Sequence, residues 1–511
     1  MLFCSMGGCV PEYVFERSLS SQWRWSDDGT KQLVTPAQAT LDPQLAAFVS
    51  NPERFKQALD RVRNLGFVSE SSLPLSSELY TKLSQFLTKQ VKEKWSIRAL
   101  RWLCFIFPRH ELWEESPSFT SIVRSLQPLM ERLVRSVEEA NIPQSLKDEV
   151  SEALLAASKV GNIRSNALSL VADLLGDESP RHLHAEFALQ RSIMFRLDGD
   201  FKNSERVIHD FCCRCGTPEQ SCLSSSFQQR QKRLNALYGL IHRSHLENLV
   251  QCEQYQLATE HISHWQLTET ASPMEWGILP SRTLTTSKIF RSQAAFKCAQ
   301  ESLELCVKFL HPREPARAQV LCQLADVYND VGFSSAANEL LAPEIEEGRK
   351  EATKTKAFRR FLVSSVETCV QTRQYDDASL DLEQLGVIFS NLSRLDVSDQ
   401  LLHIRTLVAS ARICHMRGEF RSAIHVWDVA LRRVQSYNSF EGEGFTYSAI
   451  HLSRSLAYLE LGEHERAESS FKHGKAILDR GPRDYWIPTF AKWVEEVLQK
   501  LESMAGWAKS Q

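Results

Sequence analysis

A short mark recurs along this 511-residue chain, and it restricts the fold more than any other feature. A small or polar turn residue is followed two positions later by a ring-bearing residue, and three after that by alanine. The clear copies are Gly418-Glu419-Phe420 with Ala423 and Gly462-Glu463-His464 with Ala467. Looser ones are Arg373-Gln374-Tyr375 with Ala378, Gly332-Phe333-Ser334 with Ala337, Phe296 with Ala299, Tyr255 with Ala258, and Gly199-Asp200-Phe201 with Ser204. The turn residues stand at 199, 253, 294, 332, 373, 418 and 462, so the last five gaps are 41, 38, 41, 45 and 44; a weaker copy sits at Gly161. The physical reading is a repeated helical hairpin. The turn residue ends one helix in a left-handed cap, and the alanine lets the next helix approach closely. Apolar or small residues follow four and seven positions after the alanine, on one helical face: Trp427 and Ala430, Phe471 and Gly474, Leu382 and Leu385, Leu303 and Cys306.

This pattern resembles the tetratricopeptide repeat, whose motif has Gly, Tyr, Ala, Phe and Ala at these offsets. The period here exceeds that family's 34 residues, which implies longer helices or loops. The expected fold class is mainly all-α: an α-solenoid of tetratricopeptide-like hairpins over 146–505, in which each hairpin is stable only against its neighbours.

Composition narrows the class of function. Sixty Lys and Arg against 63 Asp and Glu leave a net charge of −3, which offers no bulk attraction for nucleic acid or an anionic membrane. The longest apolar run, Leu103-Cys104-Phe105-Ile106-Phe107, is closed by Pro108 and far too short to span a bilayer. Thirteen cysteines, an odd number in largely apolar surroundings, fit reduced thiols packed as small hydrophobes. With no basic-then-apolar leader at the N-terminus, the expected location is cytoplasmic or nuclear.

Residues 1–72 differ, with short elements and turn punctuation at Asp27-Asp28-Gly29, Leu41-Asp42-Pro43 and Asn51-Pro52. Short helices at Val10–Phe15, Leu45–Val49 and Phe55–Val62 and a strand at Asn64–Ser69 are expected. A helical connector over 73–145 carries Trp95, Trp102, Phe105 and Phe107. The stretch from Pro11 to Ser69, with Ser20-Ser21-Gln22-Trp23-Arg24-Trp25, Gly29, Leu41-Asp42-Pro43 and Phe55-Lys56-Gln57-Ala58-Leu59, resembles the winged-helix segment of fungal NB-ARC-type signal-transduction NTPases. The resemblance implies the sensor-side half of such a protein. The nucleotide engine is missing: no G-x-x-x-x-G-K-[ST] string is present to cradle phosphates.

His209, Cys212, Cys215 and Cys222 form the best metal candidate, since Cys212 and Cys215 have C-x-x-C spacing. A second close pair is missing, so the bland reading, a helix end running into a loop, is preferred and no metal or cofactor is expected. His261 and His264 could chelate, but spacing places no carboxylate beside them. Neither G-x-S-x-G nor H-E-x-x-H occurs, and an enzyme is not expected.

What remains is the inner, concave face, lined by the first helix of each hairpin. The repeat register places Gln319, Asp326, Asn329 and Asp330 there, then Arg360, Glu367, Arg405, Arg412 and His415. Acidic beside basic residues could orient a peptide by paired charges. The Lys and Asn positions of the carboxylate-clamping tetratricopeptide subfamily are occupied here by Cys322, Val363, Val408 and Asp326, which disfavours that ligand. The expected function is a non-catalytic scaffold that binds a protein or peptide partner; the alternative is the regulatory half of an NB-ARC-type switch.

Overall fold

The computed structural model describes residues 17–18, 20–39, 47, 51, 53–54, 56–57, 60–61, 88–109, 118–136, 142–215, 232–310, 315–350, 355–392, 395–437, 444–480 and 486–504. Among them the sheet has two strands, β1 (Gln22–Trp25) and β2 (Lys31–Val34), paired antiparallel, and the other regular elements are helical. The chain divides into two compact units. One comprises Met1–Met194, Val207–Ile241 and Leu267–Trp276; the other comprises Phe195–Arg206, His242–Gln266 and Gly277–Gln511.

In the first unit α1 (Lys89–Ile106), α2 (Ser118–Ser136), α3 (Gln144–Ala157) and α4 (Arg164–Leu174) share one core. The apolar run Leu103–Phe107 lies inside it, with Leu103, Ile106 and Phe107 fully buried. The last carbonyls of α1 lack partners within the helix, as at any helix end. Arg17 donates to the Ile106 carbonyl at 2.9 Å, and Arg24 on β1 donates to those of Cys104 and Phe105. The β1–β2 turn holds Gly29 at φ 73°, and a Cβ there would lie 2.5 Å from the Ser272 hydroxyl, so only glycine fits. The expected helices at 10–15 and 45–49 and the strand at 64–69 fall outside the described residues, apart from Ala47. The described strands lie earlier.

Two helices link the units' segments, α5 (Arg181–Leu197) and α6 (Phe201–Cys215), followed by α7 (Lys232–Gln251), α8 (Tyr255–His261) and the one-turn α9 (Pro273–Trp276). The second unit then runs through five hairpins: α10 (Leu279–Ser292) with α11 (Phe296–Phe309), α12 (Pro315–Val331) with α13 (Ser334–Lys350), α14 (Lys356–Gln371) with α15 (Tyr375–Ser390), α16 (Val397–Met416) with α17 (Phe420–Gln435), and α18 (Phe445–Glu460) with α19 (His464–Arg480). A final helix, α20 (Phe490–Met504), packs on α18.

The recurring mark is a Schellman turn each time. All seven turn residues adopt positive φ: Gly199, Gly332, Gly418 and Gly462 at 75–87°, Glu253, Ala294 and Arg373 at 57–60°. Each turn closes with the same two bonds, as in Glu419 N–H to the Cys414 carbonyl (2.9 Å) and Gly418 N–H to that of His415 (3.1 Å). The small residue five positions on is fully buried in every copy: Ser204, Ala258, Ala299, Ala337, Ala378, Ala423 and Ala467. Gly161 does not belong to the series; it opens a short 3-10 turn and has no left-handed backbone.

Second helices are amphipathic: α17 buries Ala423, Trp427, Ala430 and Val434, one stripe at helical spacing. First helices are buried nearly all round. α14 hides eleven residues, polar Ser364, Glu367 and Thr368 among them. It packs on α15, on the preceding α12 and α13, and on the following first helix α16. The layer of first helices is therefore where polar groups must be satisfied inside the protein.

Left-handed backbone costs an L-residue about 1–2 kcal/mol, and glycine escapes this at an entropic cost of about 0.5–1 kcal/mol. Gly418→Ala should lower stability by about 1 kcal/mol, and Ala294→Gly, at an exposed turn of the same geometry, should raise it by a few tenths to about 1 kcal/mol. Urea or thermal unfolding of the two variants beside wild type checks the opposite signs.

Candidate functional site

The first helices of the second unit carry a buried chain of charges. Arg291 on α10 pairs with Asp330 on α12 at 3.0 Å. Asp326, one turn earlier on α12, takes two bonds from Arg405 on α16, at 2.9 and 3.1 Å, and one from Ser364 on α14 at 3.2 Å. Arg405 also approaches Glu367 on α14 at 3.8 Å, and Glu367 meets Arg412 at 3.4 Å. Asn329 donates to the Thr368 hydroxyl at 2.9 Å. Three arginines face three carboxyl groups. Burial pushes the Glu367 carboxyl up to about 7 against the pull of Arg405 and Arg412.

Part of this layer is covered by the chain itself. Arg291 donates to the Trp486 carbonyl, and the Thr489 N–H donates to Asp330. The Thr489 hydroxyl accepts from Gln371 at 2.8 Å and Arg412 at 3.1 Å. Thr489 has φ 60°, and Ile487 and Phe490 on either side are fully buried, with Phe490 stacked on Trp427. The turn 486–489 thus bonds to side chains of α10, α12, α14 and α16 immediately before α20 begins.

Beside that segment lies a cavity of about 390 Å³. Gln319, Asp326, Arg360 and Arg405 line it, four of the nine residues expected on this face. The other five lie elsewhere on the layer. Asp330 and Arg412 hold Thr489, Glu367 and Asn329 bond within the layer, and His415 packs edge-on against Phe420 and Trp493. Most of the nine are buried and engaged with one another rather than facing outward. Arg360 and Gln319 are only half-buried.

The cavity has further walls that the sequence reading did not name: Arg196, Arg243, Glu247 and Lys288. A signal for three of them, Arg196, Glu247 and Lys288, existed. Six residues before the turns at 253, 294, 332, 373 and 418 stand Glu247, Lys288, Asp326, Glu367 and Arg412. Three residues before the turns at 199, 294, 332 and 418 stand Arg196, Arg291, Asn329 and His415. Extending the register upstream of residue 319 reaches these positions. Trp486 and Thr489 carry no such signal, because they belong to no repeat.

The metal candidate is not assembled among the described residues. His209 is exposed on α6 and its ring contacts the Cys213 thiol at 3.6–3.7 Å, one helical turn on, rather than Cys212. Cys222 and the Cys215 side chain lie outside the described residues. His261 and His264 face each other with their Nδ1 atoms 2.9 Å apart, and His245, paired with Glu205, packs edge-on against His261.

A second cavity, about 420 Å³, belongs to the first unit and is lined by Arg24, Arg101, Arg109, Glu149, Glu152 and Arg233 among others. Glu152 bridges Arg109 (3.3 Å) and Arg233, and despite burial the two guanidiniums hold its carboxyl far below the ordinary carboxylate range. Its central charge is thereby matched from within.

Among the described residues no helix is long and apolar enough to cross a membrane. No family model matches the chain, and no curated protein matches it either. Among solved structures the tetratricopeptide-repeat domain of P58(IPK) aligns with 76% of this chain and 98% of its own, at 13% identity and a TM-score of 0.18. The helical-repeat architecture stands on the seven turns and the packing of the hairpins.

Two predictions follow from the charged layer. Arg405→Met leaves Asp326 and Glu367 short of their counter-charge and should cost about 3–5 kcal/mol, whereas Arg405→Met with Asp326→Leu should recover part of that loss; chemical denaturation of the single and double variants reads this. Three histidines of this unit are held neutral. Burial with Lys500 nearby takes His415 down to about 4, burial with His473 and Arg454 takes His451 to about 3, and burial takes His242 to about 4. The unfolded chain binds protons that the folded one refuses between those values and about 6.5, so stability should fall as pH drops through that window. His415→Leu should flatten the fall in melting temperature between pH 7 and pH 5.

Proposed function

We propose that this protein is a non-catalytic interaction scaffold that takes a protein or peptide partner on the layer of first helices of its second unit. The observation that carries the reading is the 390 Å³ cavity, whose walls come from α7, α10, α12, α14 and α16, with Gln319, Arg360 and Arg405 at the same position, thirteen residues before the turn, in three successive first helices. A repeat array presents equivalent side chains from successive hairpins in one row, which suits an extended partner better than a single reacting group. The buried ion chain supports the same reading: its charges are spent on one another, so they make the floor of the site rigid and leave recognition to the half-buried rim of Gln319, Arg360 and Ser398.

The test must avoid Arg405 and Arg412, because reversing either would unbalance the interior and confuse unfolding with loss of binding. Gln319→Trp and Ser398→Trp instead fill the cavity from half-buried positions. Each should leave the melting temperature within a few degrees of wild type and reduce recovery of the partner in affinity capture by about tenfold, the scale of one hot-spot residue. Recovery of the same partners in the same yield by both variants would remove the cavity from the binding surface.

A further inference from the structure

The cavity walls are unevenly charged. Seven Arg or Lys side chains line it against Glu247 and Asp326. Four of the seven are neutralised by an adjacent carboxylate: Lys288 by Glu247 (3.1 Å), Arg291 by Asp330 (3.0 Å), Lys356 by Asp396 (2.6 Å) and Arg405 by Asp326 (2.9 Å). Arg196 donates to the Ser244 carbonyl and hydroxyl and to Asn248. Arg243 and Arg360 are different. The buried Nε of Arg243 has no hydrogen-bond partner among the described residues, and the bond Arg360 makes there is to the neutral Ser398 hydroxyl, at 3.2 Å. Burial lowers the pKa of both guanidiniums, with Glu247 or the Asp396 and Asp399 carboxylates too weakly placed to reverse it.

A third group points the same way. The Gln323 amide on α12 lines the cavity, is 8% exposed, and its buried Nε2 has no hydrogen-bond partner among the described residues. Two cations and an amide donor left unsatisfied at one open cavity amount to a site built for negative charge. Both guanidiniums are half-buried; an unmatched, partly desolvated cation is costly to the folded state, and an anion entering the cavity relieves that cost.

We propose that this cavity binds a phosphoryl group, held by Arg243 and Arg360 with Gln323 as a neutral donor. The proposal rests on the reading of the first-helix layer as the binding face. Two unpaired guanidiniums match a phosphate monoester, which carries about −1.5 to −2 at neutral pH, better than a single carboxylate. Guanidinium forks also fit phosphate oxygens in bidentate fashion. The group could arrive on a free phosphorylated molecule or on a phosphorylated residue of the partner, and the chemistry at the cavity is the same.

The experiment uses the full chain and isothermal titration at low, fixed ionic strength with two probes. One is pyrophosphate; the other is a phosphoserine peptide beside its serine twin. Wild type should bind at least one probe, and Arg243→Gln with Arg360→Gln should weaken that binding by at least tenfold while the circular dichroism spectrum stays unchanged. Preference for the phosphoserine peptide over its twin assigns the source to a partner segment; binding of pyrophosphate with no such preference assigns it to a free phosphorylated molecule. Failure of wild type to bind either probe overturns the proposal, and that arm needs no variant to fold. Equal binding by wild type and the double variant overturns it too. If Gln319→Trp abolishes partner capture while wild type ignores both probes, the scaffold reading survives and the phosphoryl site alone falls.

Discussion

A left-handed residue at the end of each first helix is the constraint on which the second unit depends. Helix direction must reverse within two residues, and the Schellman geometry does this while satisfying the last carbonyls of the helix it ends. The reversal brings two helices side by side, and the buried alanine or serine five positions later sets how closely they meet. A bulkier residue at Ala423 or Ala467 would hold the helices apart, and the ion pairs between first helices, at about 3 Å, tolerate no such shift. Glycine supplies the turn at four of the seven sites; at Glu253, Ala294 and Arg373 an ordinary residue takes the same left-handed backbone and the same two turn hydrogen bonds.

The two units handle buried charge differently. In the first, Glu152 stands between Arg109 and Arg233, and the cavity beside them has its central charge matched from within. In the second, Asp326, Asp330 and Glu367 are each bonded to an arginine, and yet Arg243 and Arg360 remain without an ion pair among the described residues. Arg24 beside the first cavity also lacks an ion pair among the described residues, but it is bonded to the Trp23, Cys104 and Phe105 carbonyls, a set of acceptors that Arg243 does not have.

Much of the architecture was legible in the sequence, because a hairpin repeat imposes the same local requirement again and again. The turn positions could be read from Gly418 and Gly462 and then carried to Arg373, Ala294 and Glu253, where no glycine marks them. The register also placed Asp326, Arg405 and Arg360 on one face. It could not say that Asp326 and Arg405 meet across 79 residues of chain, since charge pairing between helices depends on how neighbouring hairpins slide and rotate. Trp486 and Thr489 were illegible for a different reason: an irregular turn between helices has no periodicity, and its contacts are fixed by what it covers. The N-terminal reading relied on soft, aperiodic words, and the described strands β1 and β2 flank the turn Asp27-Asp28-Gly29, where it placed no strand.

The position of Thr489 has a consequence for how the chain matures. Asp330, Gln371 and Arg412 are made on the ribosome well before the residue that completes their hydrogen bonds. A growing chain can stack its hairpins one by one, but the hydrogen bonds of the polar interior between them stay incomplete until the segment that carries Thr489 has emerged. Completion of that interior is therefore a late event, coupled to the docking of a strap that belongs to no hairpin.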